Sequence, residues 1–381
     1  MSARTRVVIL GAGFGGLELS TRLSDELGDA VAVTLIDQND AFVFGFSKLD
    51  VMFGRKTLDD VRLPYSDIAK PSVDFRQATV TSIDPVAKRV VTTGGTYDAD
   101  ILVVALGADL DPNLTPGFVE GGYEFYTPDG AARVREILPT FDAGDLVLCV
   151  LGPFFKCPPA PYETAFMLHD HLTQRGVRDA CSITLVTPMP KPIPISDEVS
   201  NAIIAGLDAR GITHSHATKT THVDPEAKVV NLSDGRELPF DLLLGVPVHV
   251  PPPVVVESGL TEPDGWIAVD VKTFGTKFDD VYAVGDITSA PVPRAGVIAE
   301  GEATTLADVL IDRMNGGRAI RPFVGEIVCY IEMGDEKIGM VNANFLSGSA
   351  PTAAFTPPSL AGTDEKRTFA AERRHRWFGR D

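Results

Sequence analysis

Hydrophobic and polar positions follow two alternating periods along this chain, and the switches between them outline its elements. Arg6 to Leu10 form an apolar run of strand type, followed by GAGFGGLELSTRL, where glycines give way to helix formers with apolar residues at helical spacing. A second strand, Val31 to Ile36, ends at Asp37, so this segment predicts a complete βαβ unit. Between Val73 and Thr96 the text FRQATVTSIDPVAKRVVTTGG alternates like hairpin strands, and YDADILVVALGA then supplies a buried strand ending at Gly107.

The pattern repeats further along. From Gly144, DLVLCVLG is another apolar strand; it leads into PFFKCPPAPYETAFMLHDHL, helical from near Tyr162, and SITLVTP supplies the next strand. HVDPEAKVVNLSDGRELPFDLLLGV repeats the order of hairpin then strand. VPPPVVVESG reads as a crossing rather than a helix, because Pro251 to Pro253 lack amide donors and have a fixed φ. KFDDVYAVGDI then returns to the first unit. From about Phe323, EIVCYIEMG and KIGMVNANF read as strands around a turn at Gly334 and Asp335, followed by a low-order stretch containing Ala, Pro and Ser.

The predicted fold class is therefore α/β: two tandem Rossmann-like dinucleotide-binding domains of glutathione reductase-like type plus a small C-terminal α+β module. Residues 1–110 and 251–318 are expected to form the first domain in two parts, 111–250 the second, and 319–381 the module.

Composition narrows the chemistry. A 381-residue chain with 44% apolar residues can bury two or three cores, and a net charge of −18 excludes nucleic acid as a partner, since that binding draws on cations against phosphate. Four cysteines without metal-ligand spacing, and a strand entered within six residues of the start, point to a cytoplasmic protein without a disulfide scaffold or signal peptide. No apolar stretch approaches the roughly 18 to 20 residues of a spanning helix. The end of the chain departs from the acidic balance: Lys366, Arg367, Arg373, Arg374, Arg376 and Arg380 surround Phe369, Trp377 and Phe378.

The glycines carry the first candidate site. Gly11 permits a tight turn, Gly13 lets the backbone approach a pyrophosphate, and Gly16 lets helix pack on strand, with the helix N-terminus facing the anion and Asp37 placed for a ribose hydroxyl. VYAVGDI selects FAD over NAD: a late strand leads to Gly285 and Asp286, as flavoproteins use against ribityl and phosphate oxygens. Asp286 also reads as a cap for the helical stretch near Ala295. In the second unit only Gly152 survives at the turn and Pro153 follows it, so NADH is not expected there. The turn carries Cys157 instead, next to Lys156, where a cation and oriented amides would favour a thiolate. Cys149 and Cys181 fall in apolar strands and read as structural. His169 and His171 point to different helix faces, while His214, His216 and His222 read as solvated, so no metal is implied.

The order GAGFGG, ALGA, CPPAPYE, VYAVGD and a late Cys-Tyr pair resembles the sulfide:quinone oxidoreductases and the flavin subunit of flavocytochrome c sulfide dehydrogenase, over nearly the whole chain. The glycine and VGD elements belong to all pyridine nucleotide-disulfide oxidoreductases, whereas KCPPAPYE and the Cys-Tyr pair are more specific. The resemblance implies noncovalent FAD held by Gly11, Gly13, Phe14, Gly15, Gly16, Asp37, Val80, Gly107, Gly285 and Asp286. It further implies that Cys157 and Cys329 form a redox pair beside the flavin, with Lys156 and Glu163 in the catalytic set. Glu163 would relay protons, or act as a first-turn helix acid. Sulfide, or another small sulfur compound, would be oxidised to persulfide or polysulfide, and a quinone would take the electrons in an apolar pocket near Phe323, Tyr330 and Phe345. The basic tail would seat the protein on the inner face of the membrane through its cations and Trp377, or dock on the acidic body. Alternatives from other classes are an electron-transfer subunit paired with a cytochrome and an NADH-dependent quinone or disulfide reductase; a second copy of the chain is a further expected partner.

Overall fold

The computed structural model describes residues 4–380. The first βαβ unit forms as its pattern dictates: strand Thr5–Leu10, helix Phe14–Leu27 and strand Val31–Asp37, the strands parallel with Thr5 opposite Val31. Ile101–Val104 joins Thr5–Leu10 on its other side, Val281–Ala283 lies outside it, and Val73–Gln77 pairs with Val31–Asp37, completing a five-stranded parallel sheet. Such strands are apolar throughout because helices cover both faces; Val7, Ile9, Leu10, Leu102 and Val103 are fully buried. A small antiparallel sheet of Val80–Asp84, Arg89–Thr92 and Gly95–Asp98 is inserted before the return strand.

A second five-stranded parallel sheet repeats the plan, in the spatial order Tyr123–Glu124, Leu242–Val246, Gly144–Val150, Cys181–Val186, Thr213–Ser215. It carries its own antiparallel insertion, Thr220–Asp224, Val229–Leu232 and Glu237–Pro239. Asp109–Asp111 and Val248–Val250 pair antiparallel where the chain passes between the two sheets. The proline stretch departs from the sequence expectation: a short helix, Pro253–Glu257, starts inside it. Proline is tolerated in a first helical turn, where no amide partner is required.

The C-terminal module differs more. Glu326–Glu332 and Ile338–Asn344 pair as expected, but the stretch expected to lack order forms a third strand, Thr352–Ser359, and the basic tail is a helix, Leu360–Phe378. One side of this helix docks on the body of the protein. Trp377 is fully buried in an aromatic cluster with Phe14, Phe42 and Phe44, and its indole N–H donates to Glu18 at 2.9 Å. Arg373 pairs with Glu300 at 2.8 Å and Arg376 with Glu18 at 2.9 Å. An acidic body supplies enough inward carboxylates to dock the cations, and burying Trp377 removes more apolar surface from water than a polar interface would. Among the described residues no helix is long and apolar enough to cross a membrane.

Candidate active site

One deep cleft of about 910 Å³ runs from the first glycine turn to the C-terminal module. At one end, Gly11 adopts φ +99°, and a Cβ there would lie 2.3 Å from the Ala105 carbonyl oxygen; at Gly16 it would lie 1.9 Å from that of Gly11. These two glycines close the turn and let the helix approach the sheet. At Gly13, by contrast, a Cβ would project into open space, so the bare backbone at the N-terminus of Phe14–Leu27 faces the cleft. The Asp37 carboxylate accepts from the Ala12 N–H at 2.8 Å and from the Asn39 N–H at 2.8 Å, which fixes it on the rim of the same turn. Unobstructed amides and a positive helix dipole for phosphate, with a rim carboxylate to accept from a ribose hydroxyl, are the groups that a dinucleotide requires, so the residues present fit FAD.

Gly11, Gly13, Phe14, Gly15, Asp37, Val80, Gly107, Gly285 and Asp286 all line this cleft; Gly16 lies behind the turn as packing. Gly285, at φ +84°, donates its N–H to the Glu302 carboxylate beneath it. Burial pushes Glu302 up to about 8, with Asp286 adding to the effect. Burial also raises Asp286, against the pull of Lys156 and Arg294. Asp286 does not cap the following helix, Gly296–Asn315, whose N-cap is Ala295 without a side-chain bond.

At the other end the cleft brings Cys157, Glu163 and Cys329 together, from segments 172 residues apart at the extremes. Cys157 sits on the turn before helix Ala160–Gln174 with φ +56°, a strained conformation for a residue with a Cβ, and its N–H is held by the Arg294 carbonyl at 2.9 Å. Its side chain opens into the cleft, and Cys329 lies on strand Glu326–Glu332 opposite Val341. Both are free thiols. Although exposed to the cleft, the Cys157 sulfur is walled by protein; desolvation and then Glu163 push its thiol up to about 12, against Lys366, Lys48 and the Ala160 N–H. Cys329 is raised for the same first reason, and then by Cys157 and Glu163, so each sulfur lies within the field of the other.

Two parts of the sequence reading change here. In its reduced form Cys157 is pushed toward the protonated thiol rather than the thiolate, because the cleft withholds water and a carboxyl lies close. Lys156, the sequence neighbour, is not among the cations that lower the Cys157 thiol: its ammonium donates to Ala108 O at 3.0 Å, and its backbone N–H donates to His249 Nε2 at 3.2 Å. That role falls to Lys366 and Lys48, both missed from sequence. Lys366 reaches in from the C-terminal helix and donates to Glu163 at 3.2 Å, with Glu332 at 3.8 Å. Burial opposes the Lys366 charge, but Glu163, Glu332 and Asp50 outweigh it and raise its hold on the proton. Glu163 is itself raised by burial, Lys366 opposing and Glu332 adding. A run of six basic residues reads as solvated surface, so only the docking of the helix could reveal which one turned inward.

Of the aromatic residues expected near a second substrate, Tyr330 lines the cleft, together with Phe369 from the C-terminal helix. Phe323 packs on Phe274 and Phe345 against Gly325, away from the cleft. His214 and His216 are half-buried rather than fully solvated: the His216 ring stacks on Tyr162, Nε2 lies 3.2 Å from the Tyr162 hydroxyl, and Nδ1 lies 3.4 Å from His214 Nδ1. Cys149 and Cys181 are buried in strands. No cluster of His, Cys, Asp or Glu among the described residues could hold a metal ion.

A type II NADH:quinone oxidoreductase of Staphylococcus haemolyticus is 27% identical over 341 residues, covering 83% of this chain and 84% of the relative. A sulfide:quinone oxidoreductase from Aquifex aeolicus superposes with a TM-score of 0.88 at 21% identity, over 98% of this chain and 92% of that one. NDH2 from Plasmodium falciparum, solved in complex with NADH, superposes at 0.77 with 13% identity, over 99% and 97%. These structures share the fold. The family model for pyridine nucleotide-disulphide oxidoreductases matches residues 5–143 and 162–303, so the chain is an oxidoreductase that belongs to this family.

Proposed function

We propose that this protein is an FAD-dependent oxidoreductase of sulfide:quinone type, which oxidises sulfide or a small sulfur compound through Cys157 and Cys329 and passes the electrons to a quinone. The observation that carries the reading is that both sulfurs and Glu163 line the cleft that opens at the first glycine turn. The donor set at Gly13 and Asp37 suits noncovalent FAD, which would supply a two-electron acceptor for the cysteine pair. In the working cycle the pair starts as a disulfide. Hydrosulfide attacks one Sγ: the Sγ–Sγ bond breaks, a new S–S bond forms, and one cysteine becomes a persulfide while the other leaves as thiolate. That thiolate would then bond to the terminal persulfide sulfur as the persulfide proton passes to Glu163, and FAD held at the glycine turn would supply the acceptor for the two electrons released. Burial raises the proton affinity of the Glu163 carboxylate for this task, and Lys366 offsets its charge before the proton arrives.

A second reading, reduction of a quinone by NADH, is favoured by the staphylococcal relatives. Against it stands the second turn, which lacks the glycines of the first. An anaerobic titration decides. Bleaching of the flavin band near about 450 nm by sulfide but not by NADH supports the sulfur reading; bleaching by NADH alone overturns it.

A further inference from the structure

Two lysines in the cleft carry charge that the cysteine chemistry above does not use up: Lys48, which acts on the Cys157 thiol alongside Lys366, and Lys156. Lys48 lies on the short helix Ser47–Met52, Lys156 on the turn before Cys157, and both line the cleft beside that cysteine. Each commits one donor to the backbone: the Lys48 ammonium to Tyr126 O and the Lys156 ammonium to Ala108 O. An ammonium carries three donors, so each keeps two. Neither forms an ion pair with a carboxylate among the described residues. Leaving such cations unpaired is unusual in a chain with 52 acidic and 34 basic side chains.

No carboxylate among the described residues pairs with either ammonium, although burial works against the charge. Burial, and then the repulsion of Lys156, lower Lys48 to about 8, so the two ammoniums lie within each other's field. Glu124 acts in the opposite direction, but its oxygens already accept from the Tyr126 N–H at 2.7 Å, the Thr127 N–H at 2.9 Å and the Thr127 hydroxyl. Asp109 and Asp286 sense Lys156, yet desolvation shifts both toward their neutral forms. Leu49, Phe125 and Tyr126 complete an apolar wall that limits screening by water.

We propose that Lys48 and Lys156 form an anion subsite beside the Cys157 sulfur, which takes a small sulfur-bearing anion such as hydrosulfide or a persulfide. The identity of the anion rests on the function proposed above; the existence of the subsite does not. The subsite concentrates the nucleophile against its target and offsets the charge that Glu163 places there.

Competing alkylation of Cys157 tests it. Iodoacetate and iodoacetamide both form a bond from Sγ to carbon with loss of iodide, and they differ in charge. The dithiothreitol-reduced, desalted holoprotein is treated anaerobically with each, and Cys157 labelling is followed by peptide mass spectrometry. The iodoacetate-to-iodoacetamide rate ratio should exceed that of free cysteine in the same buffer on the order of 10-fold. Lys48→Met and Lys156→Met should each remove most of that excess, whereas Lys48→Arg keeps it; flavin absorbance and the iodoacetamide rate show that the variants remain folded and open. A wild-type ratio equal to that of free cysteine, a ratio unmoved by either Met substitution, or a Cys157 closed to both reagents overturns the proposal. Sulfide titration in parallel keeps the two readings apart. No bleaching with the excess preserved removes the sulfide chemistry and leaves the subsite; bleaching without the excess does the reverse.

Discussion

In the first five-stranded sheet, the turn after the leading strand is made of glycines, its amides face an open cleft, and Asp37 stands at the end of the next strand. In the second sheet the matching turn runs from Leu151 to Pro159 and carries bulk. Tyr162, only 2% exposed, stacks on His216 just beyond the edge strand Thr213–Ser215, near Thr187 at the end of Cys181–Val186. Open sheets bind nucleotides outside the carboxyl ends of their strands, and there the second sheet is occupied by its own side chains. One plan, used twice, leaves an opening in one copy and fills it in the other. The filled copy puts its turn to a different use: it projects Cys157, at positive φ, into the opening of the first.

That division of labour can be broken at several points. Cys157→Ala should lower the rate of flavin bleaching by sulfide by on the order of 1,000-fold or more while the flavin stays bound, checked by stopped-flow absorbance. A matched pair of glycine substitutions probes the two turns directly. Gly16→Ala sets a Cβ 1.9 Å from a backbone oxygen and should leave the purified protein largely without flavin, whereas Gly152→Ala meets Val248 only at 3.3 Å and should retain it; the ratio of flavin to protein absorbance reads both. Trp377→Ala cuts the tie between the C-terminal helix and the first nucleotide helix, and should cost about 3–5 kcal/mol in denaturant unfolding. It should also slow sulfide turnover, because the same helix carries Lys366.

The smallest effect expected concerns pH. Glu302, beneath the Gly285 turn, holds its proton up to about 8 when folded against an ordinary 4.5. The folded state therefore binds this proton more tightly than the unfolded chain. The resulting stability is complete below pH 4.5 and declines as pH rises toward 8. Glu302→Gln should flatten that decline in melting curves taken from pH 5 to 8; an unchanged slope would assign it to other groups.

Much of the first crevice was legible because its determinants are local. Gly11, Gly13 and Gly16 act through backbone geometry within a single turn, and Asp37 bonds to an amide 25 residues away along one βαβ unit. The strands declared themselves by period, and a positive-φ glycine followed by a helix has few other readings. The tail was less legible. Its cations and aromatics suit either a lipid surface or an acidic protein surface, and helix Leu360–Phe378 has weak amphipathic patterning, because Trp377 and Phe369 meet partners set by the fold rather than by a repeating face.

The sequence alone determined the two-sheet plan, the place of the first glycine turn and the absence of its glycines from the second turn, since each depends on residues close in the chain. Tertiary structure alone decided which charges attend the cysteines. Lys366, Lys48 and Glu163 meet there from three separate segments, and the Lys156 next to Cys157 in sequence turns to Ala108 instead. Electrostatic influence falls with distance in space and with the water that intervenes, and neither quantity is written in the order of residues.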